Sequence, residues 1–172
     1  MTAMIDEVLA YPLVVDTQNA LSESEFPAAE QPPTAQQLSE WANSAYACVA
    51  DKSSEVTIRL VDESEITQLN RDYRYKDKPT NVLSFPFQTE FDDALTDQAD
   101  FNLLGDIVIC HSVIVQEASQ QSKSVIDHYA HMVVHGILHL CGYDHQDDVS
   151  AEKMEALETQ VLAQQQIANP YL

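Results

Sequence analysis

The chain has 172 residues, with 28 acidic side chains against 8 basic ones and a formal net charge of −20. A hydrophobic share of 45% against 21% charged excludes compositional disorder, supports one domain over 1–172, and contains no run of the ~18 apolar residues that a membrane span needs. An acidic excess of this size also argues, taken over the whole chain, against a nucleic-acid partner, because phosphate binding is driven mainly by Lys and Arg.

The elements follow in chain order. A short β-branched run at Leu13–Asp16 predicts a strand. Residues 22–34, rich in Ser, Glu, Pro, Ala and Gln, predict a surface loop. Leu38, Trp41, Ala42, Ala45, Tyr46 and Val49 recur at helical spacing. Val56, Ile58 and Leu60 alternate with Thr57 and Arg59, the strand period. Asp62 followed by Glu65 resembles a capping box for a helix that turns Ile66, Leu69 and Tyr73 inward. Asn81–Phe87 is a β-rich run that Pro86 confines to an edge or stops. Residues 88–102 carry five acids and no base, as a solvated surface loop would. Leu103–Cys110 predicts a buried strand and His111–Gln121 a helix. Ser124 caps a longer helix with Val125, Tyr129, Met132, Val133 and Ile137 inward, stopped by Gly142, and Ser150 opens a last helix bearing Met154, Leu157 and Val161. The expected fold is α+β with α/β-like layers: one small mixed sheet of about four strands packed by about five helices.

The start, Met1–Glu7, lacks the basic region of a secretory signal. Cys48, Cys110 and Cys141 are odd in number with no disulfide-like spacing, so a reducing cytoplasm is expected.

Five of the six histidines fall between 128 and 145. His135 and His139 stand one helical turn apart on one face, Gly142 lets the chain turn back, and His145 follows. Three imidazole nitrogens can hold one cation and leave a fourth tetrahedral position for water, which marks a catalytic site at the end of a central helix. Asp144, Asp147 and Asp148 are nearby carboxylates able to orient a ligand imidazole. Cys141 lies about 200° around the helix from His139 and should face away. The spacing equals that of metzincin proteases, except that Gly136 replaces their general-base glutamate, which demotes peptide hydrolysis. His131 continues the row as a structural hydrogen-bonder or an auxiliary acid or base. His128 and His111 read as surface residues.

The segment His135–His145 resembles the signature of the YbeY family of bacterial rRNA maturation factors, and so do Lys76–Phe87 and Leu104–Cys110. The resemblance runs from about Glu55 to Pro170-Tyr171, while the N-terminal third agrees in element order more than in residues. It implies one zinc ion at His135, His139 and His145, with His135, His139 and Arg59 in catalytic roles in one cleft. It also implies a single-strand-specific endoribonuclease acting in 3′-end maturation of small-subunit rRNA and in ribosome quality control. The partners implied are rRNA and the ribosome or small-subunit proteins, in the cytoplasm, with no membrane. Asn81 stands where many members carry Asp, and His111 where some carry Arg.

Charge distribution reconciles this with the acidic whole. Arg59, Arg71, Arg74, Lys76 and Lys78 share the stretch 59–78 with five acids, so that stretch is neutral. The rest holds 3 bases against 23 acids. Cations collected in the metal cleft would give a local track for RNA, with affinity weak and confined to it. Arg59, rigidly aimed by its strand, serves either as a phosphate grip or as a surface salt bridge. Tyr75 could stack on bases, whereas Tyr73 should pack inward. Two other readings compete: a non-catalytic, metal-containing ribosome assembly factor, and a metallohydrolase of another substrate.

Overall fold

The computed structural model describes residues 10–87 and 102–172, so the acidic stretch 88–101 and the first nine residues lie outside the described residues. Four strands form one sheet: β1 (Leu13–Asn19), β2 (Ser54–Val61), β3 (Val82–Pro86) and β4 (Leu103–Cys110). Their order is β1-β2-β4-β3, with β1, β2 and β4 parallel and β3 antiparallel at the edge. Pro86, which has no N–H to give a ladder, is the last residue of that edge strand. Five α-helices surround the sheet: α1 (Ala35–Ala47), α2 (Glu63–Arg74), α3 (His111–Gln120), α4 (Val125–Leu140) and α5 (Asp148–Gln164). The expected α+β class and mixed sheet are therefore observed.

Strand alternation decides what each face does. Val56, Ile58 and Leu60 of β2 and Ile107 and Ile109 of β4 are buried in the main core with α1, α4 and α5. The opposite face carries Gln18, Arg59, Val108 and Leu83 in one row across the sheet, and Asp16, Thr57, Asp106 and Phe85 in the next. Among the described residues α2 packs on it, with Val113 of α3 beside it, around a small second core of Val61, Ile66, Leu83, Val108 and Cys110. The result is one closed face and one partly open face.

α4 is the central helix, buried nearly all round rather than along one stripe. His128 (2% exposed) and His131 (9%) are buried within it. His128 pairs with Glu117 at 2.6 Å, and Glu117 also accepts from Asn81 at 3.2 Å. His111, at the start of α3, is also buried and meets the Tyr129 hydroxyl at 2.6 Å. Neither is the surface residue expected: His128 lies on a helix packed on more than one side, and the His111 ring lies against Phe26 and Tyr129.

Local signals went partly elsewhere. Thr34 and Gln37 form a full capping box at α1. Asp62 is the residue before α2, but Glu65 does not complete a box; it turns to Arg59, while Asp62 accepts from the Ser22 backbone at 3.1 Å. α5 begins two residues before Ser150, because Asp147 is its cap and accepts from Ser150 N at 2.8 Å. Tyr73 is 66% exposed rather than inward, its ring edge-on to Phe85 at 5.1 Å. Segment 22–34 is a largely exposed connection with one 3-10 turn, Ala28–Glu30.

Two outcomes follow. A Cβ at Gly136 would sit 2.9 Å from Ile107 Cδ1 and 3.3 Å from two further atoms of that fully buried side chain. Gly136→Ala should lower stability in urea unfolding, because an overpacking cost of ~1–3 kcal/mol outweighs the ~1 kcal/mol of helix propensity gained. Burial pushes His111 below its usual 6.5, against the raising effect of the Glu30 backbone and nearby acids. The unfolded chain takes up that proton near 6.5 and the folded chain only at lower pH, so stability should fall as pH drops below 6.5. The urea midpoint of His111→Gln should vary less than that of the wild type between pH ~8 and ~5, which bracket the imidazole range.

Candidate metal centre

α4 supplies two imidazoles from one face, His135 and His139, and then ends abruptly. Gly142 takes φ +100°, a region that L side chains rarely adopt. Around it, Tyr143 N donates to Leu138 O at 3.1 Å and Gly142 N to His139 O at 3.0 Å, the paired bonds of a Schellman stop. The reversed chain carries His145 back over the helix end. Ring centroids lie 4.5 Å apart for His135 and His139, 4.8 Å for His135 and His145, and 5.2 Å for His139 and His145. One ring nitrogen from each falls within 4.8 Å of the other two, as one small cation requires.

Hydrogen bonds fix which nitrogens these are. His139 Nδ1 lies 2.9 Å from the Tyr143 carbonyl, which can only accept, so Nδ1 carries the proton. His135 Nδ1 lies 2.6 Å from Glu158 Oε1. Glu158 is fully buried on α5, and burial alone would raise its pKa; hydrogen bonds from His131, His135 and Tyr171 instead hold it at about 2. It is therefore an acceptor, and His135 also carries its proton on Nδ1. Both Nε2 atoms are left to face a cation, and with the exposed third imidazole they form a donor set that fits zinc. Burial lowers the pKa of His139, as do the neighbouring imidazoles of His135 and His145, favouring this neutral form.

Glu158 is the residue that sequence reasoning missed. The nearby aspartates do other work: Asp144 accepts from His145 N at 2.6 Å, Asp147 caps α5, and Asp148 begins that helix. None of them hydrogen-bonds an imidazole among the described residues. Glu158 is 23 residues from His135 in an ordinary-looking helix, and its only signal was position on the inward face shared with Met154 and Val161. His131 takes the structural option, its Nε2 at 3.2 Å from Glu158 Oε2. Cys141 packs against the core and is not among the ligand atoms that converge with the three imidazoles. Gly136 faces Ile107 of β4, which leaves no room for the glutamate of a metzincin-type peptidase.

A cavity of about 630 Å³ opens on His135 and His139, with Arg74, Thr80, Asn81 and Ser84 on its walls. Arg59 lies in a neighbouring groove of about 940 Å³ over the open sheet face, together with Gln18, Asp72 and Asp106. Tyr73, Phe85 and Pro86 line both, forming a partly aromatic divide. Arg59 donates to Glu65 through Nε and Nη2, both at 2.8 Å, and to Gln18 through Nη1 at 3.1 Å. Its five N–H groups thus keep two uncommitted. Of the five cations in 59–78, Arg74 lines the histidine cavity, Arg59 the groove, and Arg71 is flanked by Asp72 and Asp77.

A family model described as Endoribonuclease YbeY matches residues 17–166. A protein of Alteromonas mediterranea named Endoribonuclease YbeY is 49% identical over 158 residues, covering 92% of this chain and 96% of that protein. One of the same name from Colwellia psychrerythraea is 44% identical over 162 residues, covering 92% and 97%. A solution structure of a Thermotoga maritima protein superposes with a TM-score of 0.54 at 24% identity, over 89% of this chain and 92% of that one, a likeness of fold.

The Arg59–Glu65 pair is over one-third exposed on both sides, at 35% and 38%. Glu65→Gln should therefore cost less than about 1 kcal/mol in urea unfolding; a larger loss would show that the pair holds α2 to the sheet.

Proposed function

This chain belongs to the Endoribonuclease YbeY family, and on that premise we propose that it cleaves single-stranded RNA with one zinc ion held by His135, His139 and His145. The observation that carries this reading is the convergence of the three imidazoles, two with Nδ1 committed elsewhere, at a cavity that also holds an arginine. Bound there, zinc supplies Lewis acidity, acidifying water toward a pKa of about 7 and polarising a phosphoryl oxygen.

The chain's own groups do the remaining work. Glu158 and the Tyr143 carbonyl hold the two helix imidazoles in register. Arg74, on the cavity wall, offsets the charge of the phosphodiester at the scissile position. Arg59 uses its two remaining N–H groups on the next phosphate or sugar, kept stiff by Glu65 and Gln18. Tyr73, beside Phe85, offers an exposed ring on which a base can lie as the strand crosses from cavity to groove. A duplex presents no such unstacked bases, which favours single strands.

The substrate we infer is the 3′ end of small-subunit rRNA, with a part in ribosome quality control in the cytoplasm. With 3 bases against 23 acids outside residues 59–78, the body repels free RNA. Contact with the ribosome or small-subunit proteins then delivers the substrate.

The test is metal content and cleavage measured together. The purified chain should carry about one zinc and cut a single-stranded oligoribonucleotide, while His135→Ala/His139→Ala, left with one of three imidazoles, should lose both. Undiminished cleavage by the metal-free double variant, with contaminating nucleases excluded, contradicts the proposal. Loss of cleavage with a substrate carrying 2′-deoxyribose at the scissile position would assign attack to the ribose 2′-OH, and undiminished cleavage of it to water.

A further inference from the structure

Tyr171 lies in the turn after α5, and nothing in the chemistry above uses it. Its backbone N–H donates to Asn169 Oδ1 at 2.8 Å, which folds the tail back on the helix. Its phenol then reaches Glu158 Oε2 and lies 3.3 Å from His131 Nε2, with the ring edge-on to His131 at 5.5 Å. Tyr171 is 44% exposed, and a cavity of about 410 Å³ lined by Lys123, Asp127, Asn169 and Pro170 runs beside the tail. Apolar packing is therefore a small part of what holds it, and the phenol's hydrogen bond is the specific part.

A carboxylate is a rigid plane, so holding one oxygen sets the direction of the other. Oε1 of Glu158 takes the His135 Nδ1 proton; Oε2 is shared by His131 and Tyr171. Without the phenol, Oε2 keeps only the 3.2 Å contact from His131, and the carboxylate is free to rotate away from His135. We infer that Tyr171 is a positioning residue for the metal centre: its phenol orients Glu158 against His135 Nδ1 and so sets how tightly the three imidazoles hold a divalent cation. Burial and the neighbouring carboxylate raise the phenol's pKa, which keeps it a donor at neutral pH. The inference rests on the metal reading given above.

The experiment measures zinc affinity of the full chain, by competition with a chelator, and the melting temperature of the metal-free protein. The forms compared are wild type, Tyr171→Phe, Glu158→Gln and the double variant. Partners behind a metal-ligating histidine are typically worth ~10–100-fold in affinity, so Glu158→Gln should fall in that range and Tyr171→Phe, one step further out, should lose ~3–10-fold. The metal-free melting temperature of Tyr171→Phe should stay within about 2 °C of wild type. The double variant should bind no more weakly than Glu158→Gln, because Tyr171 acts through that carboxylate. Unchanged zinc affinity in Tyr171→Phe overturns the inference, as does a loss that multiplies with that of Glu158→Gln. Tyr171→Phe decides the matter by itself if Glu158→Gln does not fold. A wild-type chain that takes up no zinc overturns the metal reading itself, whereas tight wild-type binding with an indifferent Tyr171→Phe overturns this inference alone.

Discussion

A fully buried carboxylate organises this molecule's chemistry. Ionised Glu158 inside the core is tolerable only because hydrogen-bond donors replace the water it has lost. His131 and His135 donate from α4 and Tyr171 from the tail. The arrangement ties α5 and the tail to α4, and it holds Nδ1 of one imidazole of the candidate metal centre. The second imidazole is fixed by the backbone of the turn that ends its own helix. Folding and site assembly thus share the contacts that α4 makes to this carboxylate. The site sits where a rigid, buried helix stops and the chain reverses, which gives it precision without a dedicated loop.

The outer parts of the site follow from the sheet. Its closed face carries the core and α4; its other face, on which α2 packs, is partly open among the described residues. That open face provides the groove with Arg59, and the edge strand β3 provides the divide between groove and metal cavity. An extended, unpaired strand matches such a path better than a duplex does. The groove is not a purely cationic channel, since Asp72, Asp106 and Glu65 share it with Arg59. Its grip on phosphate is correspondingly local.

Much of this was legible in the sequence, and the parts that were not have identifiable causes. The period of two in β2, the proline in β3 and the glycine stop after α4 each act over a few residues, so pattern alone located them. The same holds for His135, His139 and His145, whose spacing is set by one helical turn and one reversal. What stayed hidden depends on distant partners. Glu65 fits a local capping box, yet it bonds Arg59 across the sheet. Buried His128 is satisfied by Glu117 from another helix, and Tyr73 faces outward because the second core beneath α2 ends at Leu69 and Phe85. Glu158 looked like any helix glutamate, because nothing local distinguishes a carboxylate that will be buried against histidines of another helix.

The central claim is that three histidines, and no sulfur, form the metal centre. X-ray absorption at the zinc edge of the loaded, full-length chain addresses it most directly. The account predicts three nitrogen scatterers at about 2.0–2.1 Å and no sulfur contribution. A sulfur shell at about 2.3 Å would bring a cysteine into the site and contradict it, as would fewer than three imidazoles around the ion.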